Sequence, residues 1–469
     1  MHTLLLLGVT LFSCLDEGQD KSSAPEVVTA SQDKPPGAAP PPPPPEDSLF
    51  KTLVKQFSIG GQVRIRAEYR DPTAYTQPSS HKSDDYILER IRLNLKFTVT
   101  DDIEVFIQPQ DQRIWGQEIT ILTDERNLDL HQGYVDIRNI FSEPLSVRAG
   151  RFEMAYGDQR LVSPLDWHNV ARAWDGAKVR YAPKDFWVEA FYTVLRDPYP
   201  AATPTPFVPV PGATSTNGAA EDQDFMGVYF SYVGIAEHEF DVYAFFREFQ
   251  DNTFTGETGG PGDLIDHTVG ARIKGKDFGF DYTLEVMGQG GRVGDTRIAA
   301  YAYAATLGYA FDVAGKPRIG LEYAVASGDR TPANGVRQTF DPLFPFFHYY
   351  QGYADVFGFK NSKSLSAYLK VAPADNVTLH MDLFAFWLDQ ARDSWFNDPG
   401  ALLRRDTTGS SSRKIGTEFD LHAKVNVGKY VKLWGGWSHF IAGEFVRKTA
   451  TTGETKDMNW FFLQMTVDF

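Results

Sequence analysis

The sequence predicts an all-β fold: an antiparallel transmembrane β-barrel of about 18 strands behind a disordered, proline-rich N-terminal segment. Three observations carry this reading: a strand-favouring composition, period-two alternation from residue 57 onward, and short separators that alternate with long ones. With 21 Tyr, 35 Phe and 9 Trp, aromatic residues make up 14% of the chain, and 40 Gly with 28 Pro punctuate it into short runs. Long helical periods are scarce.

Residues 1–14, MHTLLLLGVTLFSC, form an apolar run too short to span a bilayer as a helix but long enough for an export signal. Leu11-Phe12-Ser13-Cys14 is similar to a lipobox, which makes Cys14 the candidate for acylation; the alternative is that Cys14 ends an ordinary signal. As the only cysteine, Cys14 also excludes an intramolecular disulfide or a CxxC pair. Residues 15–56 form a tether: from Asp16 to Asp47 the chain is polar and rich in proline, with six consecutive prolines from Pro40 to Pro45, a composition that builds no core.

Residues 57–469 then carry the barrel. Eight short separators, at 100–102, 141–144, 183–185, 234–236, 275–277, 312–317, 373–376 and 428–429, are rich in turn-forming residues. Nine longer stretches lie near 71–85, 112–130, 154–173, 196–224, 250–265, 289–296, 328–360, 389–410 and 444–457. An even strand number with tight turns at one end and long loops at the other is the layout of an outer-membrane barrel, with both termini on the periplasmic side. In "NVTLHMDLFAFWL" Val377, Leu379, Met381 and Leu383 share one face against Thr378, His380 and Asp382. Such alternation also suits a soluble sandwich, but the export signal and turn pattern favour the membrane. The final run "MNWFFLQMTVDF" ends on Phe469, which resembles the terminal aromatic read by the barrel-assembly machinery.

If apolar residues meet lipid, parity assigns their neighbours to the lumen. In the first six strands those neighbours are Arg64, Arg66, Arg90, Arg92, Lys96, Arg138, Arg148, Lys178 and Arg180, against Glu68, Glu104 and Asp136. The chain as a whole carries a formal charge of −15, which argues against nucleic acid as a partner. A local basic wall inside an acidic protein is the pattern of an anion-conducting pore, although Arg to carboxylate ladders that brace the wall share the same signature.

"GRFEMAYGDQRLVSPLDWHNVARAWDGAKVRY" at 150–181 and "QTFDPLFPFFHYYQGYADVFG" at 338–358 resemble segments of the alginate-export family, outer-membrane barrels with an arginine-rich conduit. The resemblance implies a channel for anionic solutes, an anionic saccharide foremost, moving by diffusion past inward-facing arginines. It also implies that Asp158, Arg160, Trp167, Arg172 and Asp175 fold inward as a constriction, with loop packing as the alternative. A general porin and a surface-binding barrel are the other channel-class and structural readings. Neither a cofactor nor a metal is expected, since no acidic loop has calcium-binding spacing. Nor is an enzyme: Ser163, Asp166 and His168 lie close in sequence, but a triad is a matter of geometry, and GxSxG is lacking.

Overall fold

The computed structural model describes residues 56–72, 75, 83–116, 128–195, 223–257, 261–346, 348–397, 400–450 and 456–469. The export signal, Cys14 and the tether up to residue 55 lie outside the described residues. Eighteen wall strands follow one another in chain order. Numbering the wall strands alone, they are β1 Phe57–Asp71, β2 Asp84–Thr100, β3 Ile103–Ile114, β4 Leu128–Ile137, β5 Leu145–Phe152 and β6 Trp174–Tyr181. Next come β7 Phe186–Leu195, β8 Gln223–Tyr232, β9 His238–Thr255, β10 Pro261–Asp277, β11 Phe280–Val293 and β12 Thr296–Ala310. The circuit is completed by β13 Arg318–Ala326, β14 Ser362–Ala374, β15 Val377–Leu388, β16 Lys414–Val427, β17 Val431–Ala442 and β18 Met458–Asp468.

Each strand pairs antiparallel with the next, and β1 pairs with β18 from Gln62↔Asp468 to Asp71↔Asn459, which closes the sheet into a barrel without a free edge. Closure is needed because hydrocarbon offers no partner to an unpaired backbone group. The burial pattern is inside out relative to a soluble protein. On β2 the apolar Ile91 and Leu93 are 40% and 37% exposed, whereas Arg90 and Arg92 are 0% and 7% exposed. Apolar side chains thus form the outer surface, as lipid requires. Among the described residues no helix is long and apolar enough to cross a membrane.

All eight tight turns lie where the separators place them, within a few residues; the fifth is Phe278–Gly279, just beyond the expected 275–277. One long separator is not a loop. Between β11 and β12 the pairing continues to Val293↔Thr296, leaving only Gly294 and Asp295 to turn. The glycines of "GQGGRVGD" suggested a loop, but Gly291 belongs to the strand: at φ 127° it packs so close to the Ile265 carbonyl that a Cβ would overlap it. Likewise most of 250–265 is strand, since β9 reaches Thr255 and β10 starts at Pro261.

Candidate functional site

Two loops turn inward and fill the lumen. The first joins β5 to β6 across residues 153–173; the second joins β13 to β14 across 327–361. They are bonded to each other by a parallel bridge between Val162 and Phe344. Around it, Ser163 N donates to Phe344 O at 3.0 Å, Phe344 N to Leu161 O at 2.8 Å and Phe346 N to Gln159 O at 3.1 Å. Arg172 Nη1 donates to Pro345 O at 2.8 Å, and the Trp167 and His348 rings stack at 4.2 Å.

The arginines of β1 and β2 hold the first loop. Arg64 Nη1 donates to the Asp166 carbonyl at 2.7 Å and Arg66 Nη1 to the Trp167 carbonyl at 2.7 Å, while the Arg66 guanidinium lies 3.8 Å over the Trp167 ring. Arg90 and Arg92 both reach Asp166 Oδ1 at 2.9 Å. Burial pushes the Asp166 carboxyl up, but the guanidiniums of Arg90, Arg92 and Arg64 outweigh it and hold the group below the usual carboxylate range. Four buried cations therefore share two loop carboxylates, Asp166 and, 3.8 Å from Arg92, Glu153, together with the wall acid Glu68 at 2.7 Å from Arg66 and a set of neutral carbonyls.

The remaining five of the nine cations expected on the inner face are paired within the wall. Lys96 meets Glu104 at 2.6 Å, and Arg138 meets Glu104 at 2.7 Å. Arg148 pairs with Asp136 at 2.9 Å and lies 4.0 Å over the Tyr134 ring. Lys178 and Arg180 share Glu189 at 3.3 and 3.6 Å. Sequence parity thus placed these nine side chains on the inner face, and the fold engages each with a carbonyl, a carboxylate or both.

Of the five loop residues expected at a constriction, four are inside. Asp158 meets Arg272 at 3.3 Å, Trp167 and Arg172 join the two loops as above, and Arg160 is buried against Glu322 at 2.7 Å and Glu285 at 3.8 Å. Asp175 is not among them: it sits on β6 with odd parity, on the outer face, paired with Arg151 at 2.9 Å. Ser163, Asp166 and His168 do not assemble into a triad. Ser163 Oγ donates to Gln159 Oε1 at 2.8 Å, Asp166 serves the arginines, and His168 Nδ1 accepts from Val170 N at 3.3 Å.

Two features escaped the parity reading. Part of the lumen is filled by an aromatic cluster, where Phe191, Phe225, Tyr229, Tyr243 and Phe245 pack against Tyr156, Leu161 and Val162 of the first loop and Phe340 of the second. Strands such as "QDFMGVYFSY" carry aromatics on both faces, so alternation could not reveal which set turned inward. The second loop is also anchored by carboxylates: Ala354 N donates to Glu418 at 2.9 Å and Tyr353 N to Asp420 at 3.3 Å, both acids buried on β16. Arg247 with Lys360 gathers Asp341 of the same loop, at 3.2 and 3.1 Å. Burial opposes ionisation of Asp341, and Lys360, Arg247 and Arg337 overcome it, keeping the acid far below its usual range.

Comparison with known proteins places this architecture. Among solved structures, Pseudomonas aeruginosa OccK11 (OpdR) is similar with a TM-score of 0.56 at 11% identity, covering 88% of this chain and 96% of its own. P. aeruginosa OpdO gives a TM-score of 0.54 at 11% identity over 90% and 99%, and P. aeruginosa OpdQ 0.54 at 9% over 88% and 98%. At such identities the likeness is one of fold. No curated protein sequence gave a significant match. The family model for alginate export matches residues 55–460, nearly the whole barrel. This chain belongs to the alginate export family, as an integral outer-membrane β-barrel channel and not an enzyme.

Proposed function

We propose that the channel passes anionic solutes, foremost an anionic polysaccharide or oligosaccharide of the alginate type, by diffusion along its Arg- and Lys-bearing wall. The observation that carries this reading is the state of Arg64, Arg66, Arg90 and Arg92. Glu68 of the wall meets Arg66, but the other partners are carbonyls of an inserted loop and its carboxylates Asp166 and, beside Arg92, Glu153, so the wall itself cancels only part of their charge. Charge focused by a low-dielectric wall draws in the opposite sign. An anion arriving as the loop shifts meets donors already converged on oxygen, and it replaces neutral acceptors with stronger, charged ones. In the same reading Phe469 is the signal for the assembly machinery, and Cys14 the acylation site.

Purified protein in planar bilayers under a salt gradient tests this. The expected reversal potential favours anions, and Arg90→Gln with Arg92→Gln reduces that preference. A cation preference in the unmodified channel overturns the proposal, and equal block by oligouronates and neutral oligosaccharides indicates a general porin.

A further inference from the structure

Lys370 and Lys424 differ from the other inward cations. Among the described residues neither has a carboxylate within ion-pair distance, whereas the inner-face cations described above are each matched to an acid, a carbonyl or both. Both point inward by parity, Lys370 on β14 and Lys424 on β16, a few residues from the periplasmic turns. On the intervening strand β15, His380 is in register with Lys370 on one side and His422 on the other, and Thr378 is in register with Lys424. The His380 ring stacks on that of His422 at 4.6 Å. Two like charges held on one patch without a counter-ion repel each other.

Beside them is an aromatic shelf. The Lys424 ammonium lies 4.0 Å over the Trp434 ring and 5.7 Å from that of Tyr349. Tyr349 and Trp434 are nearly parallel, 20° apart with centroids at 6.2 Å. Tyr349 comes from the second inserted loop yet remains 38% exposed, while its neighbours Tyr353 and His348 are buried. An exposed ring next to unpaired ammoniums supplies two kinds of contact at once. The ring accepts the C–H face of a pyranose, and the ammoniums accept a carboxylate.

We propose that Lys370, Lys424, Tyr349 and Trp434 form a binding subsite for a sugar acid on the periplasmic side of the inserted loops. The ligand's carboxylate sits between the two ammoniums and its ring lies on Tyr349 and the edge of Trp434. This rests on the reading of the channel as a conduit for anionic saccharides, and it gives that conduit a specific first contact at the periplasmic mouth, one ring away from the buried arginines: Trp434 packs edge-on to Trp167 at 4.9 Å, and Trp167 lies under Arg66.

The test uses the full-length protein in detergent micelles, titrated with trigalacturonate, with maltotriose as neutral control and benzoate as an aromatic carboxylate, and followed by tryptophan fluorescence and calorimetry. Trigalacturonate is expected to bind and maltotriose not. Lys370→Gln with Lys424→Gln is expected to weaken binding by about tenfold or more, as loss of charge-assisted hydrogen bonds does. Tyr349→Leu, on a loop surface, weakens it without disturbing the wall strands. Binding that survives both variants, or benzoate binding as tightly as the trisaccharide, overturns the subsite. The salt-gradient reversal potential is measured on the same preparations. An anion-selective channel that ignores trigalacturonate sinks the subsite alone, while a channel without anion selectivity sinks the reading it rests on.

Discussion

Among the described residues Asp166 is the only carboxylate that the paired arginines of β2 share, and its side chain remains 57% exposed. Solvent screens it, so its removal costs about 1 kcal/mol of loop docking. Because the neighbouring guanidiniums hold its pKa below the ordinary value near 3.9, its contribution is complete above that pH and is lost only as pH falls beneath it. Asp166→Asn is therefore expected to raise open-channel conductance at neutral pH, where the unmodified protein holds the loop down to strongly acidic conditions. Conductance recorded between pH 7 and pH 3 checks this. Gly61 illustrates a different constraint at the same scale. Its N–H donates to the Phe469 carbonyl at 2.9 Å, and a Cβ would stand 2.5 Å from the Phe469 ring and 2.7 Å from the Arg92 carbonyl. Only glycine lets the chain's last residue lie against β1.

The inserted loops are built as elements with their own anchors. Arg160 carries the first loop into a pocket between Glu322 of β13 and Glu285 of β11, with its guanidinium 3.8 Å over Tyr350 of the second loop. Removing one partner of such a buried cluster leaves uncompensated charge and costs about 3–5 kcal/mol. Arg160→Ala is expected to free residues 153–173 to limited proteolysis while the barrel keeps its heat-modifiable mobility in gels. Intact loops after digestion would show that the anchor lies elsewhere. The wall was largely legible in the sequence, because lipid on one side and polar lumen on the other impose a strict period of two. The loops were legible only as distinctive segments. What they touch depends on pairs such as Arg160 with Glu322, 162 positions apart, and spacing cannot encode that. The Gly-rich end of β11 misled for a related reason: a glycine required for close approach to a neighbouring strand looks the same as one required for a turn.

At the scale of the whole molecule, the formal charge of −15 and the cationic inner patch coexist because a barrel has separate surfaces. Parity on eighteen strands sorts charge radially, so a total over the chain says little about what a solute meets inside. The number of strands, closure by β1 with β18 and the outer-membrane setting all followed from patterns readable along the chain. The inner aromatic cluster did not, since aromatic residues suit lipid and packed lumen alike.

The bridge between Val162 and Phe344 makes the contents of the lumen a single mechanical body. A solute that dislodges one loop must carry the other with it, so the anchors of both, among them guanidiniums on β1 and β2, the acids around Arg160 and carboxylates on β16, are released together or not at all. Single-channel traces are therefore expected to step between two levels, with no long-lived intermediate. Separate, independent sub-levels would mean that the bridge breaks first.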